Sequence, residues 1–248
     1  MRSQLNSVFL AWQDPKERSW HTVGKLTQNN QLFEFHYTRG ALTSEAFIPF
    51  TGMNDLQATY QSDSLFPLFA NRVLSERRPE YKKLLSWLGL ADEKQSPIVI
   101  LSKTGGIKST DNLQVFPEGV SSPEKGFEID FFAHGLLYIT DSARSLIKSL
   151  KVGDKLLLME DVQNEHGGLV MAVRTSDTPE IIGYCPRFLA DRLSDAMDAG
   201  AELDLSIARV NANAPLYYQL MCNLKTGAIP AGTPFKNDEF LKVPDKIH

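Results

Sequence analysis

The chain has 248 residues, 42% hydrophobic and 23% charged, with a formal net charge of −4. This composition fits a globular protein of one or two domains and excludes collagen-like, disordered and disulfide-stapled chains. Residues 1–125 carry 14 Lys+Arg against 13 Asp+Glu, and residues 126–248 carry 12 against 17, so the second half lacks the broad basic footprint of a non-specific duplex binder.

The opening "MRSQLNSVFLAWQDP" has a short apolar run broken by Gln and Asp and does not read as a signal peptide. No apolar stretch approaches the length of a membrane span. With only Cys185 and Cys222, a reducing compartment is expected, and the cytoplasm is the expected location. "HTVGKLT" and "QLFEFHY" read as a hairpin around the Asn-rich turn at 28–30, and alternation puts Phe33, Phe35 and Tyr37 on one face. "RRPEYKKLLSWLGL" predicts a helix with Pro79 in its first turn, a stripe of Tyr81, Leu84, Leu85 and Leu88, and Gly89 as its stop. "SPIVIL" reads as a strand, and the turn-rich residues around it form a connector ending near residue 125.

The second half reads as strands at "FEIDFF" and "LLYIT". A helix follows at "TDSARSLIKSLKVGD", with Asp141 as N-cap and Ala143, Leu146, Ile147 and Leu150 as its stripe. Strands are expected at "DKLLLM", "GLVMAV" and "EIIGYC", then a helix whose stripe includes Leu189, Leu193 and Met197, then strands in "ELDLSIARV" and "LYYQLMCNL". The expected fold class is mainly β with short helices (α+β). Residues 1–125 would form a small β-sheet and helix module with its connector, and residues 126–248 a small, partly open barrel.

Catalytic signatures are missing from the sequence. In "SKTGGIKST", Ile107 separates Gly106 from Lys108, which breaks the phosphate-loop pattern. Neither G-x-S-x-G nor H-E-x-x-H occurs, and Cys185 and Cys222 lie too far apart in sequence for a short-spaced zinc site. Cys185 continues an apolar strand and reads as a packing residue. The sequence therefore predicts a non-catalytic protein, with no catalytic residue, no metal site and no cofactor.

"FFAHGLLYIT", "GDKLLLMEDVQNEHGGLVMAV", "IGYCPRFLADRL" and "DLSIARVN" together resemble the HIRAN domain over about residues 126–224. The most specific mark is "IGYCPR-x-LA". The resemblance implies a modified OB-like or SH3-like barrel. In eukaryotic helicase-like transcription factors this domain binds the 3′ end of single-stranded DNA. It implies that Tyr138 stacks on a base, that Asn164 is the Asn of the binding loop, and that Tyr184 and Arg187 lie near the bound backbone. The family's Arg beside the aromatic is Leu137 here, its loop Tyr is His166, and the Asp that reads the terminal nucleotide is Gly167. Residues 17–90 resemble, through "VGKLT…LFEFHY" and "SLFPLFANRVLSERRPEY", the N-terminal subdomain of HipA-type toxins. That implies a bacterial protein in DNA processing, defence or toxin–antitoxin control, with a regulatory part.

The residues themselves keep two readings each. Tyr138 is a core aromatic or lines a groove where base stacking contributes. Arg187 is a solvated or ion-paired helix-entry residue, or a phosphate contact at a helix start. His166 is an exposed loop residue or part of the groove. Tyr217, in "NANAPLYY", leads into a strand and is the last groove candidate. The expected interface is thus Tyr138, Asn164, His166, Tyr184, Arg187 and Tyr217. Its expected partner is single-stranded DNA or DNA ends. The alternative is a protein-interaction module that docks on a toxin, helicase or nuclease, with a protein partner reached through the N-terminal half. No membrane partner is expected.

Overall fold

The computed structural model describes residues 5–90, 95–118, 120–122, 126–162, 169–198, 200–227 and 238–245. The chain divides into two compact units. One comprises Met1–Lys82, Asp92–Glu118 and Phe235–His248, and the other Lys83–Ala91 and Gly119–Pro234. Both are mostly β: the first is built on a separate sheet, the second on a curled one. Among the described residues no helix is long and apolar enough to cross a membrane.

The first unit holds strands β1 (Ser7–Gln13), β2 (Trp20–Asn29), β3 (Leu32–Tyr37) and β4 (Thr59–Ser62), helix α1 (Pro67–Ala70), helix α3 (Pro97–Thr104) and strand β5 (Leu113–Pro117). Helix α2 (Tyr81–Trp87) contains the division between the units. The sheet order is β4-β3-β2-β1-β5, antiparallel throughout. Asn30 takes φ 55 in the β2–β3 turn, a left-handed conformation that Asn tolerates. Phe33, Phe35 and Tyr37 all point into the core, as the alternation of β3 predicts. The C-terminal stretch returns to this sheet. Phe240 packs edge-on against Phe9, with ring centroids 5.0 Å apart, and the Val243 N–H donates to the Tyr37 carbonyl at 3.1 Å.

Two expectations about this unit change. "SPIVIL" is the helix α3, not a strand. Ser96 accepts the Ile98 N–H through its side chain, Pro97 fills the first turn, and Gly105 closes the helix at φ 69. These caps outweigh the β-branched run, whose burial in the core is satisfied by a helix as well as by a strand. Helix α2 begins at Tyr81, so Pro79 lies before it; Leu84, Leu85 and Leu88 are buried, and Gly89 follows at φ 70.

The second unit holds β6 (Val120–Ser122), β7 (Gly126–Phe132), α4 (Asp141–Ile147), β8 (Lys155–Glu160), β9 (Met171–Thr175), β10 (Ile181–Tyr184), α5 (Arg187–Asp198), β11 (Leu203–Val210) and β12 (Leu220–Thr226). The order is β10-β9-β8-β11-β12-β7-β6. The sheet curls on itself. Beyond β7, His134 pairs with Tyr184 at the end of β10, the His134 N–H donating to Tyr184 at 2.8 Å and the Tyr184 N–H to His134 at 3.0 Å. This one bridge joins the two sides of a half-barrel whose interior includes Phe127, Ile129, Val173, Ile182, Ile207 and Leu224.

Three readings of this unit are corrected. "LLYIT" is a turn, not a strand: Gly135 takes φ 72, and its carbonyl accepts the Tyr138 N–H at 2.8 Å. The N-cap of α4 is Thr140, whose side chain accepts the Ala143 N–H, and Asp141 sits in the first turn. Met197 is 46% exposed, while Leu189, Ala190, Leu193 and Ala196 form the buried stripe of α5.

Candidate nucleic-acid interface

The half-barrel's closing bridge also organises the candidate site. Leu136 and Ile139 bury themselves and anchor the turn after Gly135, which leaves Leu137 60% and Tyr138 84% exposed at its tip. Arg144 of α4 donates to the Leu137 carbonyl at 2.8 Å and the Ile139 carbonyl at 3.2 Å, fixing the turn from below. Tyr138 therefore stands out from a braced support, with its ring already clear of the core. The turn that carries the ring is thus ordered before a flat ligand meets it.

Tyr184 lies against this turn. A Cβ built on Gly135 would come within 2.7 Å of the Tyr184 ring, so only glycine allows the ring to rest on that backbone. Burial holds the Tyr184 phenol above its ordinary pKa, and the neighbouring Asp161 carboxylate, which shares a hydrogen bond with it, adds to the effect. Tyr217, in a 3-10 turn of residues Leu216–Tyr218, places its ring 5.3 Å from the ring of His134 and 6.1 Å from that of Phe132. Trp87 stacks on Tyr218 at 6.1 Å, extending the aromatic cluster. Burial raises the Tyr217 phenol well above its usual range and drops His134 to about 4. His134 is accordingly a neutral ring at physiological pH.

Arg187 opens α5, three residues past Tyr184, and is partly exposed. The residue lies where helix N–H groups point outward, so this flank favours an anion, whereas the Asp161 flank repels one. Cys185 is buried and its thiol lies well above its usual pKa through burial, with Cys222 adding to it; burial likewise pushes Cys222 up to about 12. Neither thiol is available as a thiolate nucleophile. Among the described residues, no group of three or more His, Cys, Asp or Glu side chains could hold a metal ion.

Of the six residues singled out in the sequence, the structure gathers Tyr138, Tyr184 and Tyr217 around His134–Gly135 and sets Arg187 at the adjoining helix start. Asn164 and His166, with Gly167, lie outside the described residues. Sequence reasoning missed His134, Gly135 and Asp161. The dipeptide His-Gly before "LLYIT" is a turn signal that would have pointed to the first two. Residues 126–226 match the family model of the HIRAN domain.

The HIRAN match covers β7 through β12 and so contains Tyr138, Tyr184, Arg187 and Tyr217. Two solved structures are similar to this chain. A protein from Lactobacillus plantarum is 19% identical, with 40% of this chain and 91% of that one covered at a TM-score of 0.33. The HIRAN domain of human HLTF is 15% identical, with 47% and 93% covered at a TM-score of 0.34. No curated protein matches the chain.

Proposed function

We propose that the HIRAN unit is a non-catalytic module that binds single-stranded DNA or DNA ends at the rim where its half-barrel closes. The observation that carries this reading is Tyr138, 84% exposed on a turn that Arg144 braces and whose Gly135 lies against the Tyr184 ring. Bases would stack on Tyr138, Tyr184 would line the groove, and Arg187 at the start of α5 would meet the phosphate. The acidic balance of this half fits a short strand held at a few points better than a long duplex held by charge. Leu137 and Gly167, at the family's Arg and Asp positions, remove two polar contacts. Selection of the 3′ end is then weaker than stacking, and blocking that end changes affinity less than Tyr138→Ala does.

The test titrates fluorescently labelled short single strands, with free and blocked 3′ ends, into the full chain at low and moderate salt. Saturable binding at low salt that weakens with salt supports the reading. No binding at low salt ends it.

A further inference from the structure

The HIRAN unit includes a short segment that precedes the family match. Residues Lys83–Ala91, the end of α2 and the turn after it, belong to this unit. They are fastened to the half-barrel by β11 and by the turn at Leu216–Tyr218. The Asn211 side chain donates to the Trp87 carbonyl at 2.9 Å and to the Tyr218 carbonyl at 2.7 Å. Trp87 stacks on Tyr218, with ring centroids 6.1 Å apart and an interplanar angle of 20°.

Arg209 meets the same segment. A bulge between Ile207 and Arg209 interrupts the β11–β12 register, the kind of irregularity that re-aims a side chain. The Arg209 guanidinium lies over Gly89. A Cβ built on Gly89 would come 2.9 Å from Nη2, 3.0 Å from Nε and 3.2 Å from Cζ, so the group turns its flat face to that backbone. Gly89, at φ 70, leaves the room. The guanidinium is half-buried and has no hydrogen bond or ion pair among the described residues, and none of its nitrogens is sealed from solvent. Asp204, the acid on the same strand, is paired with Lys155. A braced, partly desolvated fork of N–H donors without a carboxylate is matched by an anion from outside. Lys83 is exposed and likewise unpaired, one turn before Trp87 on the same helix face, so a second cation flanks the ring.

The rings indicate which anion. From Trp87 the contacts run to Tyr218, then to Tyr217 at 5.1 Å and His134 at 5.3 Å, and His134 forms the bridge that closes the rim. The Arg209 site is thus continuous with the rim. We infer that Arg209, with Lys83, holds a backbone phosphate of a single strand that extends past the rim, so that a segment outside the family domain lengthens the binding path. The inference rests on the rim reading: bases stack at Tyr138, and only strands long enough to pass the rim reach Arg209.

The test measures fluorescence anisotropy of labelled oligothymidylates of about three and about ten nucleotides with the full chain. Arg209→Gln should weaken the longer strand about tenfold at low salt and lower its slope of log affinity against log salt by about 0.7. The shorter strand should keep its wild-type affinity. Arg209→Lys, which keeps the charge and loses the fork, should restore the slope. Lys83→Gln, at an exposed site that leaves folding intact, should weaken the longer strand about twofold. Equal losses for both lengths would make Arg209 structural and overturn the inference. So would a longer strand that both glutamine variants bind as tightly as the wild type. Poly-glutamate that displaces the longer strand as well as unlabelled oligothymidylate does would also overturn it, since the site would then take carboxylates. Binding that Tyr138→Ala weakens but that gains nothing from length ends this inference alone; no binding of either length ends both readings.

Discussion

The two units differ in how far their aromatic residues are committed to the core. In the sheet-and-helix unit they are the core: Phe35 and Tyr37 lie edge to face at 5.1 Å, Phe50 stacks on Tyr37 at 5.8 Å, and Phe35 and Tyr37 are fully buried. Even the Tyr37 hydroxyl is engaged, accepting from Phe50 and donating to Met53. In the HIRAN unit the phenylalanines of β7, Phe127, Phe131 and Phe132, are buried among aliphatic residues, while Tyr138, Tyr184, Tyr217 and Tyr218 stand at or near the rim. The same residue type supports a fold in one place and offers a surface in the other. Placement tells them apart: a phenol whose ring and hydroxyl are both satisfied has no capacity left for a ligand, and Tyr138 has nearly all of it.

The contrast can be broken by mutation. Phe35→Ala should cost about 3–5 kcal/mol of stability in chemical denaturation, the range for truncating a buried phenylalanine. It should leave affinity for single strands unchanged wherever the chain remains folded. Tyr138→Ala should do the reverse. Stability should stay within about 0.5 kcal/mol, as for a surface substitution, while strand binding drops by about 1–3 kcal/mol. If Tyr138→Ala unfolds the protein instead, the ring is structural and the contrast fails.

His134 sharpens the comparison through pH. Its folded pKa is about 4 against an ordinary 6.5. Between these values the unfolded chain binds the proton and the folded chain does not. Stability should therefore be level above pH 6.5 and fall as pH drops from 6.5 towards 4. Urea midpoints across that window should flatten in His134→Phe, which keeps a ring beside Tyr217. A slope unchanged by this substitution would place the proton elsewhere.

The smallest effect concerns Arg187. Arg187→Glu should lower affinity for all single strands alike and reduce the slope of log affinity against log salt by about 1, as expected for one lost phosphate contact. An unchanged slope would move the phosphate path away from α5.

Much of the fold was legible in the sequence. The alternation in "QLFEFHY" identified β3 and its buried face, and "EIIGYC" followed by Pro186 identified the strand-to-helix joint. The misreadings share a cause. In "SPIVIL" and "LLYIT" the residues within the segment favour a strand, but the decisive residues flank it: Ser96, Pro97 and Gly105 in one case, Gly135 in the other. Short-range propensity lost to caps and to a left-handed glycine. The site was half legible. Tyr138, Tyr184, Arg187 and Tyr217 came from motif and resemblance, whereas the pairing of His134 with Tyr184 joins residues distant in sequence and left no periodic trace. The resemblance of residues 17–90 to HipA-type subdomains rests on its motifs alone.

The bridge between His134 and Tyr184 has a further consequence. β7 meets β12 along five register pairs, from Glu128 to Phe132, while the opposite lip is fastened by two hydrogen bonds. Local opening is cheapest where the fewest bonds break, so this seam is the half-barrel's clasp. On the proposed function, a strand gripping Tyr138 on one lip and Tyr184 on the other would fasten the clasp as it binds. By reciprocity, anything that keeps the clasp shut readies the rim for the strand. Occupancy and barrel stiffness then become one quantity, readable in how slowly the His134 and Tyr184 amides trade their hydrogens with water.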